Sequence, residues 1–150
     1  MTPIKECLIN NKTNLNPIWL MRQAGRYLPE FREIRKNNTN FIDLCLNSNL
    51  SEEITIQPID RFDFDAAIIF SDILMIPYGL GQQVEFKKDF GPSLGKINAA
   101  KILETEENIF TDKLSSIYKL LQNLSKNNKL ENKDLIGFVG APWTLLVYMI

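Results

Sequence analysis

The sequence predicts an α/β fold assembled from successive strand–helix units, and three apolar runs carry that expectation. They lie at residues 18–21, 65–70 and 135–140, with helix-forming stretches between them. Unbroken apolar runs of this length are the mark of strands covered on both faces, as in a parallel sheet wrapped by helices. Each run is followed at once by polar or glycine-rich residues: Arg22-Gln23, Ser71-Asp72 and Ala141-Pro142. α/β barrels and open α/β sheets both keep their active sites at that end of the strands. No GxGxxG and no GxxxxGK[ST] follows any of the runs, so a nucleotide-binding sheet loses most of its weight. A (β/α)8 TIM barrel needs eight strands and commonly about 250 residues. The 150 residues are therefore read as the N-terminal part of one such barrel domain, holding about three βα units.

In order along the chain, residues 1–16 are polar and Asn-rich and read as an irregular lead-in. Residues 18–21 form the first strand. Pro29 then opens a short helix, with Glu30 in its first turn and Phe31 and Ile34 on its inner face. Residues 41–46 form a helical turn. Ser51 is expected to cap the next helix, whose apolar positions Ile54, Ile56 and Ile59 run towards Phe62, with Pro58 a kink point. Residues 65–70 are the second strand, and 73–78 a loop or broken helix. Weak alternation over 84–90, ending at Gly91-Pro92, predicts a hairpin. This insertion is longer than an ordinary crossover loop and is marked as a functional lid. A helical region opens at Thr105-Glu106-Glu107, and Leu114, Ile117, Leu121 and Leu124 make a core stripe. The third strand at 135–140 leads into a helix from Leu145.

Composition excludes several classes. With 45% hydrophobic residues and a formal net charge of −1, the chain can bury a core and lacks the basic field of a nucleic-acid binder. No run reaches the roughly 18 apolar residues of a membrane span, and residues 1–6 lack a secretory apolar region. The two cysteines, Cys7 and Cys45, are far apart and fit a reducing, cytoplasmic setting. There is no histidine, which removes His-based triads and imidazole zinc sites from this stretch.

The chemistry concentrates where the first apolar run turns into Arg22-Gln23-Ala24-Gly25-Arg26. Arginine presents a rigid fork of donors that matches a carboxylate and stays charged at any working pH. Gln23 adds a neutral donor and acceptor. Gly25 lets the backbone turn and a ligand approach. The pattern reads as an anion site, or as Arg22 and Arg26 pairing with Glu30 and Glu33 on a solvated face.

The stretch Leu20-Met21-Arg22-Gln23-Ala24-Gly25-Arg26-Tyr27-Leu28-Pro29-Glu30 closely resembles the N-terminal signature of the uroporphyrinogen decarboxylase family. The resemblance recurs in order at residues 65–74 and 137–145. It implies a (β/α)8 barrel, a homodimer, no metal and no organic cofactor, and removal of carbon dioxide from the four acetate side chains of uroporphyrinogen. Carried over residue by residue, it implies that Arg22, Gln23, Arg26 and Arg35 bind substrate carboxylates. It likewise implies that Asp72 binds the pyrrole N–H groups and that Tyr148 lies near the reacting acetate. Protonating a pyrrole before decarboxylation builds positive charge on the macrocycle, and an anion aimed at it stabilises the transition state selectively. On the residues alone, Asp72 also reads as a helix cap and Tyr148 as a packed aromatic.

The family also uses a serine and a histidine from its second half, beyond the stretch matched here, so turnover by these residues alone is not expected. Two other readings compete: a porphyrinogen-binding fragment without turnover, and a methyltransferase of the same barrel superfamily. The methyltransferase would need a thiolate and imidazole zinc site; the paired arginines around Ala24-Gly25 belong to the decarboxylase.

Overall fold

The computed structural model describes residues 1–150 apart from Lys12, Thr13, Leu15, Lys88 and Asp89. It opens on α1 (Pro3–Asn10), where a featureless lead-in is expected. Pro3 starts this helix where its missing N–H costs nothing. The distant carboxylate of Asp134 completes the helix end, accepting from the Thr2 hydroxyl at 2.5 Å and from the Ile4 N–H at 3.2 Å. The partner of α1 thus lies more than a hundred residues away, beyond the reach of local periodicity.

Residues 17–22 depart furthest from expectation. They are not a strand, and Ile18 and Met21 are 61% and 79% exposed. Apolar side chains are buried only where something covers them, and no described strand or helix of this chain packs over these. The segment is tied down at Ile18, whose carbonyl accepts from Asp65 N at 2.9 Å and whose N–H donates to Asp65 Oδ2 at 2.7 Å.

Two short helices and one long one follow: α2 (Pro29–Asn37), α3 (Phe41–Cys45) and α4 (Ser48–Phe62). Pro29 sits at the first position of α2 and Phe31 is buried, as the sequence implies. The caps of α3 and α4 are asparagines: Asn40 Oδ1 accepts from Ile42 and Asp43, and Asn47 Oδ1 from Leu50. Ser51, expected as a cap, lies inside α4, fully buried, with its hydroxyl donating to Leu44 O at 2.9 Å. Pro58 is accommodated within the same helix.

Strand β1 (Ala66–Ile68) comes next, then α5 (Met75–Gly79) and the hairpin of β2 (Val84–Lys87) and β3 (Gly91–Leu94). The hairpin is antiparallel, with Val84 opposite Leu94 and Lys87 opposite Gly91. Lys88 and Asp89, inside the predicted alternating run, lie outside the described residues. Gly91, at φ +82°, takes the left-handed conformation that brings the chain back. The single helical region predicted after residue 105 is divided, as α6 (Ala99–Leu103) precedes it and Leu114 separates α7 (Glu107–Lys113) from α8 (Ser115–Leu124). A 3-10 turn at Asn128–Leu130 leads into β4 (Asp134–Ile136) and α9 (Pro142–Met149).

β1 and β4 pair in parallel, with Ala66 opposite Asp134 and Ile68 opposite Ile136. The crossover between them carries the hairpin and the four helices α5 to α8, the kind of long connection a parallel pair requires. One core cluster packs Ile56 and Ile59 of α4 and Leu120 and Leu124 of α8 against Ala67 and Ile69. A second joins Ile42, Cys45, Leu74, Met75, Val84 and Leu114, and a third Leu28, Phe31, Leu44 and Ile54. The strand ends therefore rest on a continuous helical support, while Val139, Trp143 and Val147 remain exposed beside β4 and on α9.

Candidate functional site

An open cleft of about 870 Å³ lies between α2 and the hairpin, next to the loop that leaves β1. α2 and the turn before it contribute Arg26, Arg32, Arg35 and Lys36, the hairpin contributes Lys87 and Gly91, and Asp72 lines it from the β1–α5 loop. Phe31, Phe41 and Phe86 give it apolar surface. These rings are coupled: Phe41 meets Phe86 edge-on at 4.6 Å between centroids and Phe70 at 5.8 Å, and Phe70 meets Phe31 at 5.8 Å.

Arg35 is the most constrained cation of the cleft. One guanidinium nitrogen donates to Asn38 O at 2.6 Å and Thr39 O at 3.3 Å, and its carbon lies 5.4 Å from the Phe41 centroid. That distance falls within the range of a cation–π contact. Burial, with the neighbouring Arg26 charge, lowers its pKa, though a guanidinium stays protonated at any working pH. A desolvated cation with spare donors is a strong seat for a carboxylate. Arg32 supports the turn from below, donating to Arg26 O at 2.9 Å and Tyr27 O at 3.2 Å.

Asp72 is half-buried, and its Oδ1 accepts the Leu74 N–H at 2.8 Å. Burial raises its carboxyl above the ordinary range, with that hydrogen bond opposing the rise. Asp72 is thus a turn-forming cap and a cleft carboxylate at once; the two readings left open by the sequence are not exclusive. Behind it, burial and the Asp72 charge push the Cys45 thiol up to about 12, so it is no nucleophile. Gly140, at the end of the chain leaving β4, packs close to Ile73: an added Cβ would lie 2.7 Å from Leu145 Cδ2 and 3.2 Å from Ile73 Cβ. Close approach explains a glycine there and braces the Asp72 loop.

Three sequence-selected residues, Arg26, Arg35 and Asp72, line this cleft together. Arg22, Gln23 and Tyr148 do not. Arg22 and Tyr148 are exposed. Gln23 is 3% exposed, and its amide donates to Ala66 O at 2.7 Å and accepts from Ile68 N at 3.0 Å. It therefore acts as a side-chain strand along the edge of β1, and both ends of its amide are already engaged. Sequence reading missed Lys36 and Lys87 as cleft residues and Arg32 as a support. The signal for two of them was present, since Arg32 and Lys36 lie four apart and share a helix face with Arg35 nearby.

The fold is thus a parallel α/β unit whose strand ends open on a cation-rich cleft around one partly buried carboxylate. The uroporphyrinogen decarboxylase (URO-D) family model matches residues 2–150, and the chain belongs to that family. It is 51% identical over 134 residues to a uroporphyrinogen decarboxylase of Chelativorans sp. (strain BNC1), covering 89% of this chain and 39% of the relative. It is 44% identical over 149 residues to that of Rickettsia bellii, covering 99% and 42%, and 42% identical over 142 residues to that of Rickettsia felis, covering 95% and 41%. The chain spans about two fifths of the length of these relatives.

Proposed function

We propose that this chain forms the substrate-binding N-terminal portion of a uroporphyrinogen decarboxylase, a cytoplasmic, homodimeric, cofactor-free carboxy-lyase built on a (β/α)8 barrel. The observation that carries the reading is the meeting of Arg26, Arg35 and Asp72 in one cleft at the end of β1. The substrate class has eight carboxylates at its rim and four pyrrole N–H donors at its centre, and the cleft offers forked cations around one carboxylate. In this reading β1 and β4 are neighbouring barrel strands, and residues 17–22 lie along the other edge of β1. Further βα units cover the exposed Met21, Val139 and Trp143.

Arg26 and Arg35 bind acetate or propionate groups in bidentate fashion, and Arg22 and Tyr148 reach the ligand once the barrel is complete. Gln23 contributes by holding the arginine turn against β1. The Asp72 carboxylate faces the pyrrole nitrogens. Ring protonation turns the bound pyrrole cationic, the Asp72 anion stabilises that cation, and the acetate carboxylate then leaves as carbon dioxide, its bonding electron pair forming an exocyclic double bond that neutralises the ring. Protonation of the resulting exocyclic carbon makes the methyl group, and release of the proton first added to the ring restores the neutral pyrrole. Because the anion acts on charge that exists only during reaction, it raises turnover more than affinity.

The 150 residues on their own bind and do not turn over, since Arg22 and Tyr148 stand outside the cleft. In the whole protein, product porphyrins are separated by carboxylate number after incubation with uroporphyrinogen. The expected result is sequential loss of carboxylates, slowed about 10²–10³-fold in Asp72→Asn with a smaller change in product affinity. An Asp72→Asn protein turning over at the wild-type rate removes Asp72 from the chemistry.

A further inference from the structure

The cleft carries more positive charge than Arg26 and Arg35 account for. Arg32, Lys36 and Lys87 line it as well, and Asp72 is the one carboxylate among its described lining residues. Five cations face one anion in a chain whose formal net charge is −1. The excess is local. Three acids elsewhere are paired away from it: Glu30 with Arg61 at 2.6 Å, Asp60 with Lys129 and Asp63 with Lys133, each of these two at 2.7 Å.

The five cations are not equivalent. Arg32 is engaged with backbone carbonyls, and Arg35 is fixed by Asn38, Thr39 and Phe41. Among the described residues, the side-chain ammonium groups of Lys36 and Lys87 have no hydrogen-bond or ion-pair partner, and both residues are exposed. They come from the two walls of the cleft, Lys36 from the last turn of α2 and Lys87 from the end of β2.

We propose that Lys36 and Lys87 form an outer carboxylate-binding pair that makes the cleft discriminate by the number of carboxylates its ligand carries. The inference rests on the tetrapyrrole reading above and deepens it. Arginines at the centre fix geometry, whereas exposed ammonium groups act as point charges whose attraction scales with the ligand's total charge. Every acetate carboxylate lost as carbon dioxide removes one anion. The same pair that holds an eight-carboxylate ligand holds a four-carboxylate product less firmly, so affinity falls as the reaction proceeds. The lysines thereby favour release of the finished product over its precursors, at no cost in the bond-breaking step.

The test uses uroporphyrin (eight carboxylates) and coproporphyrin (four) as air-stable probes, with fluorescence titration of the 150-residue chain at several salt concentrations. The wild-type chain is expected to prefer uroporphyrin. Lys36→Met and Lys87→Met should each cut that preference about two- to fivefold and flatten its salt dependence, with coproporphyrin affinity little changed. Lys36→Arg and Lys87→Arg should restore it. Arg26→Ala should weaken both probes together. Binding of both porphyrins with an unchanged preference in the Lys36→Met/Lys87→Met double variant overturns this inference alone. Failure of the wild-type chain to bind either porphyrin overturns the tetrapyrrole reading and this one with it.

Discussion

The hydroxyl of Thr55, inside α4, accepts the Phe70 N–H at 2.9 Å while donating to Ser51 O at 2.7 Å. Phe70 lies just past the last ladder bond of β1, in which Ile69 N donates to Ile136 O at 3.0 Å. Helix α4 thus takes over the hydrogen bonding of the strand where β4 lets go, and so sets the path of Ser71 and Asp72 into the cleft. Thr55→Val keeps the shape and strands the Phe70 N–H. It should lower stability by about 1–3 kcal/mol, read from the urea midpoint, while Thr55→Ser should stay close to wild type. An equal loss in both variants would show that methyl packing, not the hydroxyl, matters.

Gln23 gives the second prediction. Its amide satisfies Ala66 O and Ile68 N together. Gln23→Leu removes both partners and should cost roughly 2–4 kcal/mol. Gln23→Glu retains an acceptor for Ile68 N but sets a carboxylate oxygen against the Ala66 carbonyl, so it should be no better at neutral pH. Native stability in either variant, paired with weakened ligand binding, would return Gln23 to the role of a direct ligand contact.

The third concerns pH. Burial raises the Asp72 carboxyl above its ordinary 3.8. The folded state therefore holds this proton more tightly than the unfolded state, so Asp72 favours folding at acid pH. That contribution is lost as pH rises from about 3.8 through the raised native value. Asp72→Asn keeps an acceptor for Leu74 and removes the titration. The variant should gain stability relative to wild type between pH 4 and pH 7 while losing function. Parallel urea midpoints for the two proteins across that range would remove the burial argument.

Local rules were enough for much of this chain. Pro29 opening α2, the Phe41–Cys45 turn, the hairpin and the burial of Ala66, Ala67 and Ile69 all follow from turn residues and side-chain periodicity. What sequence could not carry was partnership. Ser51 looks like a cap, but Leu44 O lies within reach of its hydroxyl and Asn47 caps instead. Residues 18–21 look like a buried strand because apolar character records what a segment is suited to cover. Their exposure depends on neighbours. The same holds at the site: the chemical type of Arg26, Arg35 and Asp72 was legible, whereas their meeting in one cleft depends on how α2 packs beside the loop that leaves β1. Gln23 was legible as a polar residue in an apolar setting, but only the backbone of β1 explains why it is buried.

The pairing of Ala66 with Asp134 has a temporal consequence. A contact between residues so distant along the chain is entropically expensive to close, and parallel pairs have no short turn to assist them. Helix α1 inherits the delay, because the carboxylate that receives its first turn belongs to Asp134. During synthesis at roughly 5–20 residues per second, the residues of α1 therefore wait on the order of ten seconds for their anchor to be translated. Order of appearance and order of docking are reversed: α1 emerges well before β4 and finds its place only after it.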